Sequence, residues 1–270
     1  MVSERSHENG KTALGPGRAA TLSHERTVST LERWPLVAGL TRNEVEEILS
    51  RSSIHHVPAH RKVFEEGERS RGAWIITAGR VRLHHLMADG RQHVVGFRAP
   101  AATLELSSAI DGRPYMATAT TAEPTEVVLV PRTLLRELAV EYPLTVRNVI
   151  DQLCLEVRQR DITTAIASLK DARGRIGCTL LWLARQFGEH EGDTTRIDYR
   201  LTRQDIADRS GVTIETAIRV MSELQQRGII RTRSQIIEIL DIEQVRDPAR
   251  CEECQFDCSV FASGSPQLVR

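Results

Sequence analysis

The chain has 270 residues with 36 Lys and Arg against 36 Asp and Glu, and 40% apolar against 27% charged residues. That is enough for one large or two modest folded domains, it excludes wholesale disorder, and it leaves no global charge bias to announce a partner. No run approaches the roughly 18 uninterrupted apolar residues that span a bilayer, and the opening MVSERSHENGKTALGPGRAA lacks a secretory apolar core, so the expectation is a cytoplasmic protein with no membrane partner.

Residues 1–30 mix Ser, Gly, His and charge without a period, which predicts a disordered arm. From Ile54 to Pro131 short β-branched runs alternate with Gly or Pro (VFEEG, WIITAG, VRLHHLMADG, HVVGF, TATTAEPTEVVLVP), the spacing of a small all-β sandwich or barrel. The pair flanking Ala88-Asp89-Gly90 reads as a hairpin, with Asp-Gly supplying the positive φ of a tight primed turn.

From Pro143 to Ser168 no Gly or Pro intervenes, which predicts one long helix. Val146, Ile150, Leu153, Val157, Arg160, Thr164 and Ala167 recur at four then three residues, the seam of a two-stranded coiled coil, so this helix is expected to make a homodimer. The seam turns polar at Arg160. Asp171-Ala172-Arg173-Gly174 then reads as a break and a fresh helix start.

The segment LTRQDIADRSGVTIETAIRVMSELQQRGII, 201–230, predicts helix, tight turn, helix. Thr202 with Asp205 resembles a capping box, Gly211 sits where a left-handed residue is needed, and Thr213 caps the second helix. On that helix Ala217, Val220, Met221 and Leu224 form an apolar back, and Glu215, Arg219 and Ser222 a polar front. Arg matches guanine O6 and N7, and Glu accepts from the cytosine N4 amine, so double-stranded DNA is the implied partner. Ile214 and Ile218 flank this front, either as contacts to thymine methyls or as packing residues. Arg203, Arg231 and Arg233 are candidate phosphate clamps, in a stretch (196–233) with eight arginines against five acids. Two short strands around 229–240 complete a winged helix-turn-helix.

This order of parts resembles the CRP/FNR family of bacterial transcription regulators over roughly 31–245, with VFEEGERSRGAWIITAGRVRLHHLMADGRQHVVGF as sensor, DARGRIGCTLLWLA as hinge and LTRQDIADRSGVTIETAIR as head. The resemblance implies an α+β fold: a β-roll sensor domain, 31–140, like a cyclic-nucleotide-binding jelly roll; a dimerisation helix, 141–170; a winged helix-turn-helix, 171–247; and a cysteine-bearing tail, 248–270. TIETAIR is closer to the FNR branch, where Glu and Arg four apart read a TTGA-type half-site. By that resemblance Glu215 and Arg219 contact bases and Thr202, Arg203 and Gln204 the backbone, with Thr213, Ile214 and Ile218 at the same surface. Ile218 replaces a serine of the FNR pattern. RNA polymerase is the further partner implied.

The departures concern the effector. Cyclic-nucleotide binders use Gly-Glu and Arg-Ser pairs; here Leu104-Glu105 and Tyr115-Met116 stand in their places, Arg160-Asp161 replaces the small hydroxyl residues of the dimer helix, and Arg113 is the remaining cation for a phosphate. Cyclic nucleotide is therefore not the expected ligand. Haem is not expected either: His84 and His85 are adjacent on a strand and point to opposite faces, and the haem-binding relatives' Cys and His positions are not filled.

Of the five cysteines, Cys154 and Cys178 read as small buried hydrophobes, whereas Cys251, Cys254 and Cys258 are spaced CxxCxxxC and could wrap one soft metal centre. This resembles the C-terminal cysteine cluster of Bacillus-type FNR, with one residue fewer between the last two cysteines. The resemblance implies a 4Fe-4S cluster sensing oxygen, nitric oxide or redox state, with Asp161 as the first choice for the fourth ligand and Asp151, Asp171 and Cys178 behind it. A zinc site, an incidental thiol cluster, and a thiol oxidoreductase using Cys251 and Cys254 are the alternatives. No phosphate-cradling glycine loop, nucleophile elbow or paired carboxylate occurs, so a regulator rather than an enzyme is expected.

Overall fold

The structure, a computed structural model, describes residues 16–249. Helices α1 (Pro16–Leu31) and α2 (Arg42–Ser50) precede strands β1 (Ser53–Val57), β2 (Lys62–Phe64), β3 (Gly72–Ala78), β4 (Val81–Leu86), β5 (Gln92–Arg98) and β6 (Thr103–Leu104). Helix α3 (Leu106–Asp111), β7 (Thr118–Thr121), β8 (Thr125–Pro131) and α4 (Arg132–Glu141) complete the sensor domain. The long α5 (Pro143–Leu169) leads to α6 (Ala172–Phe187), β9 (Gly188–Glu191), β10 (Thr194–Ile197), α7 (Arg203–Ser210), α8 (Ile214–Gln226), β11 (Ile230–Arg233), β12 (Ile236–Ile239) and α9 (Ile242–Ala249).

Two antiparallel four-stranded sheets, ordered β1-β8-β3-β6 and β2-β7-β4-β5, form the β-roll. The runs WII and VVLV are continuous in apolar residues because β3 and β8 are covered on both faces. Trp74, Ile76, Val127 and Leu129 point between the sheets with Phe64, Leu83 and Tyr115. Ala73, Ile75, Val128 and Val130 face the opposite way, onto a helical layer containing Val28, Leu31, Trp34, Ile48, Leu134 and Leu138.

Several expectations change at this level. Residues 16–31 are not an arm: α1 buries Val28 and Leu31 in the helical layer, and Thr27 donates to the buried carboxylate of Glu126 (2.8 Å), which also accepts from Thr77 (2.6 Å). The β4–β5 hairpin does not use a two-residue primed turn. Met87 N–H donates to Arg91 O (2.8 Å), Gly90 N–H donates to Met87 O (2.9 Å), and only Gly90 among the loop residues takes positive φ (84°). That is a three-residue loop, in which a single left-handed glycine closes the turn. His84 and His85 do diverge: His84 is buried, while His85 is turned outward to Glu66 (3.1 Å).

Helix α5 starts with Pro143 at its first turn and ends at Lys170, whose extended backbone gives way to Asp171, the N-cap of α6, accepting from Gly174 N–H (2.8 Å). Of the expected seam, Val146, Ile150, Val157, Arg160, Thr164 and Ala167 are exposed. Leu153 departs from it, being half-buried with Val149 against the sensor's helical layer. Cys154, expected to be buried, is exposed, because it lies one residue beyond the stripe that α5 turns to its own domain; Cys178 is half-buried against the core of the C-terminal head.

Candidate DNA-binding site

The head is held by an apolar core drawn from α6, α7, α8, β10–β12 and α9, joined by Val94 and Phe97 of β5. Its sheet runs β11-β12-β10-β9; the hairpin β9–β10 and the helix α9 were not foreseen from the sequence. The wing β11–β12 turns at Ser234 and Gln235, both in the left-handed region (φ 48° and 67°). Among the described residues no helix is long and apolar enough to cross a membrane.

The local signals of the reading unit are realised atom by atom. Thr202 caps α7: its N–H and hydroxyl donate to Asp205 Oδ2 (2.9 and 2.7 Å), and its own oxygen accepts from Asp205 N–H (3.1 Å), a complete capping box. Gly211 ends the helix with φ 61°, and Thr213 caps α8 by accepting from Thr216 N–H (3.3 Å). Open space surrounds the position a Gly211 side chain would occupy, so strain there comes from the backbone alone. Gly211→Ala is expected to cost about 1–2 kcal/mol of unfolding free energy, read as a lower urea midpoint, with the wing and sensor cores unaffected.

On α8 Ala217, Val220, Met221 and Leu224 are buried against the head, whereas Glu215, Arg219 and Ser222 are exposed. Glu215 sits in the first turn, where its own backbone N–H and the Thr213 hydroxyl hold its carboxyl below the usual range. It is thus kept ionised as an acceptor. Arg219, one turn further on, has no ion-pair partner among the described residues. The two isoleucines divide: Ile214 is half-buried and packs on the head core, while Ile218 is 46% exposed beside Arg219.

The proposed phosphate contacts are organised as well. Arg203 donates to Gln225 Oε1 (2.7 Å) and Thr232 Oγ1 (3.3 Å), bridging α7, α8 and the wing. Gln204 is exposed and donates to Asp208 (2.6 Å). Arg231 pairs with Glu238 (3.0 Å) across the wing, and Arg233 at the wing tip is exposed.

In the sensor, Glu105 is buried with left-handed backbone (φ 52°) and accepts from Met116 N–H (3.1 Å). Tyr115 stacks on Phe64 (centroids 3.9 Å apart), and its hydroxyl accepts from Trp74 Nε1 (2.9 Å) and Arg71 N–H (3.2 Å). Arg113 is exposed beside Asp111 (3.7 Å). Asp161 is exposed on α5, and Cys251, Cys254 and Cys258 lie outside the described residues.

Residues 174–247 match the Crp-like helix-turn-helix domain, and residues 54–142 match the cyclic nucleotide-binding domain. The chain belongs to the CRP/FNR family. A CRP-like cAMP-activated global transcriptional regulator of Mycobacterium tuberculosis is 29% identical over 193 residues, 72% of this chain and 86% of that protein. The transcriptional activator protein FnrA of Stutzerimonas stutzeri is 26% identical over 179 residues, 66% of this chain and 73% of that one. FixK2 of Bradyrhizobium japonicum has the same fold, with a TM-score of 0.65 at 22% identity, covering 73% of this chain and 96% of its own. As a CRP/FNR protein the chain is a DNA-binding transcription regulator with a cyclic-nucleotide-binding-type sensor domain.

Sequence reasoning missed one group near this site. Arg82 of β4 contacts Asp205 and Asp208 of α7, and nothing in the pattern around Arg82 signals it.

Proposed function

We propose that this CRP/FNR regulator acts as a homodimer that reads an inverted TTGA-like repeat, with Glu215 and Arg219 on base edges and Thr202, Arg203 and Gln204 on the backbone, and that it works with RNA polymerase at promoters. The observation that carries the reading is the division of α8: its back is consumed by the head core, and its front offers an ionised carboxylate and, one turn away, a guanidinium with no ion-pair partner among the described residues. Arg219 can donate to guanine O6 and N7 and Glu215 can accept from a cytosine N4 amine, the two strands of the one G·C pair in a TTGA half-site. Homodimerisation is supported by Val146, Ile150 and Val157, which stay 39%, 54% and 60% exposed along one stripe of α5. Two copies in parallel would cover this stripe and hold two reading helices about one DNA turn apart.

For the effector we infer a 4Fe-4S cluster on Cys251, Cys254 and Cys258, responding to oxygen, nitric oxide or redox state. When bound, such a cluster supplies an oxidant-sensitive cross-link between the tail and the body of the protein. A fourth ligand would have to come from the body. Helix α9 ends at Ala249, two residues before Cys251, packed on Gly177 of α6; a Cβ on Gly177 would lie 3.1 Å from Ala249 Cβ. Ile162, the neighbour of Asp161, and Cys178 both pack on the apolar cluster that contains Ala249, and Asp161 and Cys178 are our candidates for that ligand. A phosphate-bearing nucleotide is a poorer fit. The Tyr115 hydroxyl is committed to Trp74 and Arg71 in the position of the arginine and serine that would hold it.

The chain prepared without oxygen is expected to be brown, with iron and sulfide and a broad band near ~400 nm that bleaches in air. Cys254→Ser should be colourless yet folded. A colourless wild type containing zinc would replace the cluster by a zinc site, and a metal-free one would remove the tail from effector binding. Failure to retain duplex DNA carrying the inverted repeat, against a scrambled duplex, would overturn the DNA reading.

A further inference from the structure

The sensor and the head are joined covalently through one short break, Lys170 to Asp171, between α5 and α6. Torsional freedom at so few residues would let the head swing relative to the dimer helix. A second, non-covalent contact crosses the same gap. On the sensor side Val94 and Phe97 of β5 are fully buried within the apolar cluster of the head, with the Phe97 ring 4.9 Å from Tyr199 and 6.3 Å from Trp182. Arg80 pairs with Asp198 and lies 5.6 Å over the Tyr199 ring.

Arg82 is the polar centre of this contact. Its Nη2 donates to Gln92 Oε1 (2.5 Å), which fixes the guanidinium on the β4–β5 hairpin. Its Nη1 donates to Asp205 Oδ1 (3.2 Å) and lies 3.8 Å from Asp208 Oδ2. Both carboxylates are already tied to the residues assigned to the DNA backbone: Asp205 through its other oxygen to Thr202, and Asp208 through its other oxygen to Gln204. The side of α7 engaged by the hairpin carries Asp205 and Asp208. Thr202, Gln204, Glu215, Ile218 and Arg219 remain exposed, so the contact leaves the DNA-reading face open.

We propose that Arg82 is a positioning residue for DNA binding: it clamps α7 to the sensor hairpin through Asp205 and Asp208, and thereby fixes the angle at which each head meets its half-site. The proposal rests on the DNA reading above. A dimer with clamped heads accepts one spacing between half-sites; a dimer with loose heads accepts several. A single half-site makes no demand on the angle.

The test uses the full chain and three labelled duplexes: an inverted TTGA repeat at one-turn spacing, the same repeat lengthened by two base pairs, and a single half-site. Arg82→Gln should lower the preference for the one-turn spacing by about five- to tenfold while leaving half-site affinity within about twofold. Arg82→Lys should recover part of the preference. Asp208→Asn combined with Arg82→Gln should lower the spacing preference no further than Arg82→Gln alone, since the amide oxygen left at 208 can still accept from Gln204 and only the contact with Arg82 is removed twice. Amide hydrogen exchange without DNA supplies an independent reading: residues 203–210 should exchange faster in Arg82→Gln, with the sensor strands away from β4–β5 unchanged. An unaltered spacing preference, or an equal loss on the half-site, would overturn the positioning role, and unaltered exchange would overturn the clamp itself. A wild type indifferent to all three duplexes, with exchange responding to Arg82→Gln, would overturn the DNA reading and the positioning role together while retaining the clamp.

Discussion

Arg219→Ala is expected to lower operator affinity by roughly 5- to 150-fold, about 1–3 kcal/mol, and to relax selection at one base pair in each half-site. Arg219 is exposed at the middle of the polar front of α8, beyond the buried Ala217, Val220 and Met221, so its removal leaves the helix packing untouched. The loss should therefore appear without a shift in thermal midpoint. Because the guanidinium is assigned to a guanine edge, affinity for non-specific duplex should change far less than affinity for the operator. Replacing Gln204, assigned to the backbone, should weaken all sequences about equally. An anisotropy titration against the operator, the operator with each base pair exchanged in turn, and a scrambled duplex separates these cases. Unchanged discrimination at every position would remove Arg219 from the reading face.

Ile150→Glu with Val157→Glu should convert the proposed dimer to a monomer in sedimentation and cut operator affinity by about 10²- to 10⁴-fold, because the second half-site is no longer engaged within one molecule. Both residues are more than half exposed on the single chain, so the substitutions introduce no buried charge unless a partner covers the stripe. The glutamates would then meet across the dimer axis as like charges in an apolar seam. Leu153 would be a misleading choice for the same experiment, since it packs partly on its own sensor domain and its replacement would also disturb the fold. A charged double variant that sediments and binds DNA as the wild type does would exclude α5 as the dimer contact.

The parts of this regulator that were legible in advance share one property: their cause lies within a few residues. Thr202 with Asp205, Gly211 and Thr213 specify helix starts and a left-handed stop by local hydrogen bonds and a single φ. The split of α8 into back and front follows from the 3.6-residue period, and the continuous runs in β3 and β8 announce strands covered on both sides. The elements that escaped have non-local causes. Helix α1 has a weak pattern and is held by the buried Glu126, 99 residues from its partner Thr27. Strand β9 is charged and exposed, and exists because β10 pairs with both it and β12. The choice between the two roles for Ile214 and Ile218 depended on where the rest of the head stands, which no helical wheel contains.

Residue patterns and the resemblance they carry pointed to a β-roll, a long helix and a winged reading head, and singled out Glu215 and Arg219 as the front of that head. The grip of the sensor on the head through Arg82, whose contact with Asp205 spans 123 residues, has no signal along the chain and emerges only on packing. Caps, turns and amphipathic faces are set by near neighbours along the chain, whereas a guanidinium finds a carboxylate on another domain only after both cores have packed and brought the two surfaces together.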